Sequence, residues 1–304
     1  MGKLRGTVLS LVKDKVKEHH SPAMIVIGGS SSRGLSEDLA SELGVDCVQA
    51  TVRRFPDNEC YVRIEGENLG TEAVLVQNSH PDGSFVELLL LQEAAASLGM
   101  KDLTTVVPYF GYARQDQQFN VGEPISAMVM ARHIQLRSSR VITVDIHKPI
   151  VLDWFDCAAT DVKAAPQIGA FFSHRGMDMV LAPDEGAVER AGEVASVMGV
   201  ESDHLVKTRI SGEEVRISPK SLDVDGKNVL IVDDIISTGG TIRAATRELR
   251  AMGARSVTAA CTHGLFAKDS LETLRGECDR VVSTNTLEGE VSEISVAPVI
   301  ARVI

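Results

Sequence analysis

The chain repeats itself. Residues 23–45 and 178–200 align without a gap at a constant offset of 155 positions, from Ala23 to Asp178. Met24 meets Met179, Ala40-Ser41 meets Ala195-Ser196, and Gly44-Val45 meets Gly199-Val200. Each copy reads as a short apolar strand, a polar turn, a helix and a glycine stop. A second pair keeps nearly the same offset: residues 98–104, around Gly99, parallel residues 252–258, around Gly253. Upstream of these, the apolar run 73–76 parallels 229–232. A chain of 304 residues has room for two domains of about 150. The repeat therefore predicts an α/β protein of two tandem copies, over 1–160 and 161–304, each a mainly parallel sheet flanked by helices. No low-complexity linker marks the join, so the halves are expected to pack firmly.

The copies differ at one place. In the second, the run 229–232 is apolar without alternation, which reads as a strand buried on both faces. The strand is expected to end on Asp233-Asp234, followed by Ser237-Thr238-Gly239-Gly240-Thr241 and a helix over 242–250. Free N–H groups of such a loop and helix start, beside glycines and small hydroxyls, suit a phosphate. The carboxylates suit sugar hydroxyls or magnesium. Taken residue by residue, an ordinary strand-to-helix turn with Asp and Ser as caps fits equally. The first copy carries Gln77-Asn78-Ser79-His80-Pro81-Asp82-Gly83 there instead, so one half keeps the sugar-phosphate site and the other has lost it.

Forty-two acidic against thirty-one basic residues give a net charge of −11, which argues against nucleic acid or an anionic membrane as partner. A phosphate-rich substrate then needs a local basic site. The five cysteines are scattered, with no CxxC pair, as expected of reduced thiols in the cytoplasm. No apolar run approaches the ~20 residues of a membrane span. Residues 1–20 are basic and amphipathic without a signal-peptide core, and read as a short added helix.

Four further stretches carry candidate chemistry. Arg54-Phe55-Pro56-Asp57-Asn58-Glu59 precedes the alternating strand 60–64. Alone, it is a hairpin with an exposed Phe. Residues 106–116 leave a strand and place Tyr109, Tyr112 and Arg114 together. Phe55 and Arg114 can stack on a base from its two faces, with Asp57, Glu59 and Gln115 as polar neighbours. Residues 141–149 form a strand whose end carries Asp145, His147 and Lys148. There His147 is expected to contact a metal or phosphate, with Asp184 sharing the ion, although Asp184 could equally sit in an ordinary turn. Lys207-Thr208-Arg209 opens a charged stretch reaching Lys220, either a solvated hairpin or a lid supplying cations to a transferring phosphoryl group. No P-loop GxxxxGK[ST], GxGxxG, HExxH or GxSxG occurs, so ATP use is not of the P-loop type.

In combination, these strings resemble the ribose-phosphate pyrophosphokinases from about residue 23 to the C-terminus. The matches are Gly28 to Ser31, Phe55 to Glu59, Pro108 to Asp116, Asp145 to His147, Ala182 to Gly186, Lys207 to Arg209, Val232 to Thr241, and the runs beginning at Ser283 and Ser295. The short Lys207 loop and the Ile-Ser-Thr-Gly-Gly-Thr string look more like archaeal members. The resemblance implies two type I phosphoribosyltransferase-like domains, Mg-ATP and ribose 5-phosphate as substrates, and PRPP and AMP as products. It implies Phe55, Asp57, Asn58, Glu59, Arg114 and Gln115 for ATP, and His147 and Asp184 for Mg2+. Lys207 and Arg209 would be catalytic, and Arg209, Asp233, Asp234 and Ser237 to Thr241 would bind ribose 5-phosphate. A homo-oligomer is implied too, a dimer or a multiple of dimers, with Phe55 reaching Arg114 of a neighbouring subunit. Ser237 stands where many members carry Asp, Gln117 where a basic residue is common, and residues 1–20 precede the usual start. Two rivals remain: a PRPP-using phosphoribosyltransferase, disfavoured by the duplication and ATP-type strings, and a non-catalytic regulatory paralogue, disfavoured by intact Lys207 to Arg209.

Overall fold

The computed structural model describes residues 24–209, 215–219 and 223–304. The expected helix over 1–20 lies outside them. The first half runs β1 (Met24–Gly28), α1 (Arg33–Leu43), β2 (Cys47–Gln49), β3 (Thr51–Arg54), β4 (Cys60–Arg63), β5 (Glu72–Val76), α2 (Asp82–Ser97), β6 (Asp102–Val107), α3 (Ser126–Ile134), β7 (Arg140–Val144) and β8 (Ala158–Val162). The second runs α4 (Ala165–Phe172), β9 (Met179–Ala182), α5 (Val188–Met198), β10 (Glu201–Arg209), β11 (Val215–Pro219), β12 (Asn228–Ile236), α6 (Gly240–Ala251), β13 (Ser256–Gly264), α7 (Ser270–Arg275), β14 (Arg280–Thr284), β15 (Ser292–Ile294) and α8 (Ala297–Ala301).

The two sheets have the same order. The first is β2-β1-β5-β6-β7-β8, parallel throughout; the second is β10-β9-β12-β13-β14-β15, parallel, with β11 added antiparallel at its edge. The repeated sequences fold alike: α1 and α5 stand 155 positions apart end to end. Their closing glycines, Gly44 (φ 67) and Gly199 (φ 72), both take the left-handed conformation that a side chain disfavours. In each sheet the chain order reverses between two central strands, β1/β5 and β9/β12, the place where an open α/β sheet receives ligands.

The central strands are apolar without alternation because helices cover both faces. One core is shared between the halves: Val26, Val74, Val106 and Ile142 of the first sheet join Val180, Leu230 and Val232 of the second through Leu39, Ile168, Phe172 and Val194. Each such fully buried side chain contributes roughly 1.5–3 kcal/mol. Polar bonds cross the same boundary. Asn78 Nδ2 donates to Thr286 O (2.9 Å), and Thr262 Oγ1 donates to Asp145 Oδ2 (2.6 Å).

Two details differ from the sequence reading. β12 does not stop at Asp233 but runs on to Ile236, because β13 continues alongside it, pairing Ile235 with His263 and Ile236 with Gly264. Position 160, the expected join, falls inside β8, which is hydrogen-bonded along β7 in the first sheet.

Candidate active site

The loop after β12 is held by several specific contacts. Gly239 caps α6 with φ 72, and a Cβ there would meet Leu274 at 2.9 Å, so only glycine fits. Ser237 O accepts from Ala267 N (3.0 Å) and Ser270 Oγ (2.8 Å), which pins the loop from outside. Among the described residues, no acceptor takes the N–H groups of Thr238, Gly239, Gly240 or Thr241, the orphan donors of a helix start. These residues line one cleft together with Ser237, Asp233 and, from the first half, Arg114. A cation from one half thus faces an anion cradle and a carboxylate from the other.

Asp233 and Asp234 take different roles. Burial, with the charge of Asp234 next to it, pushes the Asp233 carboxyl up to about 7. Burial alone would also raise Asp234. The hydrogen bond from His147 and the charges of Arg190 and His147 outweigh it, holding Asp234 well below the usual carboxylate range. His147 Nδ1 lies 2.6 Å from Asp234 Oδ2. The charged carboxylate accepts, so Nδ1 donates. Asp233 therefore faces the cleft, while Asp234 orients His147.

His147 and Asp184 were expected to share an ion. Asp184 is exposed and its Oδ1 accepts from Gly186 N (3.0 Å), capping the 3₁₀ turn Glu185–Ala187. Among the described residues, no three His, Cys, Asp or Glu side chains form a metal cluster. Mg2+ does not require such a cluster. This ion takes one or two protein ligands and completes its shell with water and substrate phosphates. A histidine whose other nitrogen donates to a carboxylate is also how ligating imidazoles are held.

The Phe55 stretch is the β3–β4 connection. Asn58 N donates to Phe55 O (2.8 Å) and Phe55 N to Glu59 O (2.9 Å); Asp57 Oδ1 accepts from Glu59 N (3.2 Å). Asn58 has φ 72, a conformation Asn tolerates, which accounts for that residue without a ligand. Phe55 is 43% exposed and stands edge-on to Tyr61. The cation near its ring is Arg53, 6.0 Å from the centroid. Gln115 is tied down by Ser126 Oγ, which donates to its Oε1 (2.8 Å).

The backbone of Lys207 to Arg209 ends β10, paired with Ile217 to Val215 of β11. Their side chains and residues 210–214 lie outside the described residues.

Sequence reasoning passed over two buried charges. Arg190 sits on the apolar stripe of α5 beside Ala191, Val194 and Ala195. Glu87, 2% exposed, sits on the stripe of α2. A charge on a helix stripe that otherwise packs inward was the available signal. Glu87 accepts from Ser30 N (2.7 Å) and Ser30 Oγ (2.6 Å), while Glu288 of the second half accepts from Leu35 N (2.9 Å). These carboxylates tie down the 30–35 turn after β1, the counterpart of the Asp184 turn after β9 rather than of the 237–241 cradle.

A doubled parallel-sheet fold with an open phosphate cradle after β12 defines a tandem phosphoribosyltransferase-type protein. The family model described as the N-terminal domain of ribose phosphate pyrophosphokinase matches residues 24–136, and the phosphoribosyl transferase domain model matches 169–298. The ribose-phosphate pyrophosphokinase of Methanopyrus kandleri is 41% identical over 286 residues, 92% of this chain and 98% of that one. That of Pyrococcus furiosus is 40% identical over 284 residues, covering 92% and 100%. The crystal structure of phosphoribosylpyrophosphate synthetase from Mycobacterium smegmatis superposes with a TM-score of 0.77 at 29% identity, covering 93% of this chain and 97% of that one. The chain belongs to the ribose-phosphate pyrophosphokinase family and is an enzyme.

Proposed function

We propose that this enzyme transfers the β,γ-diphosphoryl group of Mg-ATP to the 1-hydroxyl of ribose 5-phosphate, giving PRPP and AMP for nucleotide biosynthesis. The observation that carries the reading is the cleft in which the free N–H groups of 238–241 and Asp233 face Arg114 of the other half. In this reading the 5-phosphate sits on residues 237–241, Asp233 accepts from the ribose hydroxyls, and Arg209 adds charge there. Asp57, Asn58, Glu59, Arg114 and Gln115 hold ATP, with Phe55 stacking on the base from a neighbouring subunit. Its exposure supports a homo-oligomer, a dimer or a multiple of dimers.

The 1-hydroxyl oxygen attacks the β-phosphorus and AMP leaves in line, so no covalent enzyme intermediate forms. Positioning and charge stabilisation then supply the catalysis. Lys207 and Arg209 neutralise charge on the diphosphoryl group. His147 and Asp184 hold Mg2+, which supplies charge neutralisation on the phosphates when bound. No helix among the described residues is long and apolar enough to cross a membrane, and the reading places the enzyme in the cytoplasm, with no nucleic-acid or membrane partner.

The test is incubation with ATP, Mg2+ and ribose 5-phosphate and separation of the products. AMP and PRPP should appear in equal amounts. ADP as the nucleotide product, or no turnover across magnesium and phosphate concentrations, would reject the reading.

A further inference from the structure

A guanidinium lies buried where the two halves meet. The Arg190 side chain is 15% exposed, and its Nε has no hydrogen-bond partner among the described residues. A buried donor left unpaired costs about 1–3 kcal/mol, so its retention calls for a reason. Nε stands 3.8 Å from Asp145 Oδ2, beyond hydrogen-bond length. That oxygen is already committed to Thr262 Oγ1 (2.6 Å) and Ala164 N (3.2 Å).

Asp145 follows β7 directly and precedes His147 by two residues. It is 1% exposed and its φ is 43, a left-handed backbone that costs about 1–3 kcal/mol for a residue with a side chain. Such a turn persists only where its surroundings over-determine it. The charge of Arg190 also helps to hold the Asp234 carboxyl, in the other sheet, below its usual range. The guanidinium also lines a polar cavity with Asp145, Lys163, Gly186, Glu189 and Glu193, directly behind the Asp184 turn. Lys163 cannot take its place. Its Nζ is 3.9 Å from Asp145 Oδ1 but is committed to Asp161 at 2.9 Å, and its side chain is 47% exposed.

We propose that Arg190 is a positioning residue for the reaction: reaching from α5 of the second half to Asp145 at the end of β7, it holds the left-handed 145–147 turn in register with the sugar-phosphate cradle. His147 is thereby presented to the diphosphoryl chain at the place where the sugar hydroxyl waits. An ordinary ion pair would close to hydrogen-bond distance on one carboxylate. Arg190 instead stands off Asp145 at 3.8 Å with its Nε unpaired among the described residues. The inference rests on the proposed function, because it assigns a role within that reaction.

Three full-length variants test it: Arg190→Met, which keeps the apolar stem without charge, Arg190→Lys, and the exposed control Arg247→Met. Each is assayed for AMP and PRPP, for ribose 5-phosphate binding by calorimetry, and for Tm. Arg190→Met should lower kcat about 100-fold, the scale of a roughly 1 Å misplacement of a reacting group. KM and Kd for ribose 5-phosphate should stay within about 3-fold. Arg190→Lys should recover roughly a tenth of the activity or more, since a cation returns without the guanidinium fork. Arg247→Met should match the unsubstituted enzyme. If Arg190→Met does not fold, Arg190→Gln carries the same expectations. An Arg190→Met or Arg190→Gln enzyme with kcat within about 3-fold of the parent would overturn the proposal. So would equal losses in the Met and Lys variants accompanied by a fall in Tm, which would mark a structural role only. Failure of the unsubstituted enzyme to make PRPP would reject the functional reading itself, a result separate from either of these.

Discussion

His147 Nδ1 and Asp234 Oδ2 lie 2.6 Å apart, although 87 residues separate them and their strands belong to different sheets. The bond ties the end of β7 to β12 at the level of the open cradle. Because Asp234 stays charged, it fixes the imidazole tautomer as well as its orientation. The neighbouring carboxylate, Asp233, is left to the cleft.

The pair predicts how magnesium dependence responds to mutation. His147→Ala should raise the Mg2+ concentration giving half-maximal activity. Asp234→Asn should do so by about 10–100-fold, as loss of an orienting partner does for a metal ligand. Magnesium titrations of activity decide it. Unchanged curves in both variants would remove His147 from the metal site.

Asp233→Asn should raise KM for ribose 5-phosphate much more than KM for ATP. Above pH 7, where the Asp233 carboxyl is charged, losing this hydrogen-bond acceptor costs about 1.5–3 kcal/mol of binding, roughly a 10- to 150-fold change. An effect confined to the ATP KM would show that Asp233 faces the nucleotide.

Lys207→Ala should cut kcat by several orders of magnitude, with both KM values little changed, because contacts made only in the transition state lower the barrier without tightening ground-state binding. Arg209→Ala should act similarly, and the double variant should fall short of the product of the two effects. An increase in the ATP KM with kcat intact would make this stretch a binding element instead.

Phe55 predicts that activity depends on assembly. Phe55→Ala should weaken ATP by about 1–3 kcal/mol, the value of stacking a base on an aromatic ring. Specific activity should fall as the enzyme is diluted below its dimer dissociation constant, measured in parallel by sedimentation. A monomer with full activity at nanomolar concentration would contradict the shared site.

The architecture was legible because it is carried by short-range pattern. Apolar runs at β1, β9 and β12, and the glycine stops at Gly44 and Gly199, are local signals that recur at one offset. The cradle at 237–241 was legible for the same reason: its glycines and hydroxyls are contiguous. What was not legible is what long-range pairing decides. β12 extends past Asp233 only because β13 runs beside it, and the division of roles between Asp233 and Asp234 depends on His147 arriving from the other sheet. Arg190 and Glu87 carried a weak local trace, a charge on a buried helix stripe. Their partners, Asp145 and Ser30, come from distant segments that no spacing rule connects.

The central claim is that a diphosphoryl group moves as a unit from the nucleotide to the sugar. It is tested most directly with ATP labelled at the β-phosphorus, incubated with the enzyme, Mg2+ and ribose 5-phosphate, and followed by separation of every phosphorylated product. All transferred label should appear in PRPP, one equivalent for each unlabelled AMP formed. Label retained in ADP would show cleavage at the γ-phosphorus and contradict the account.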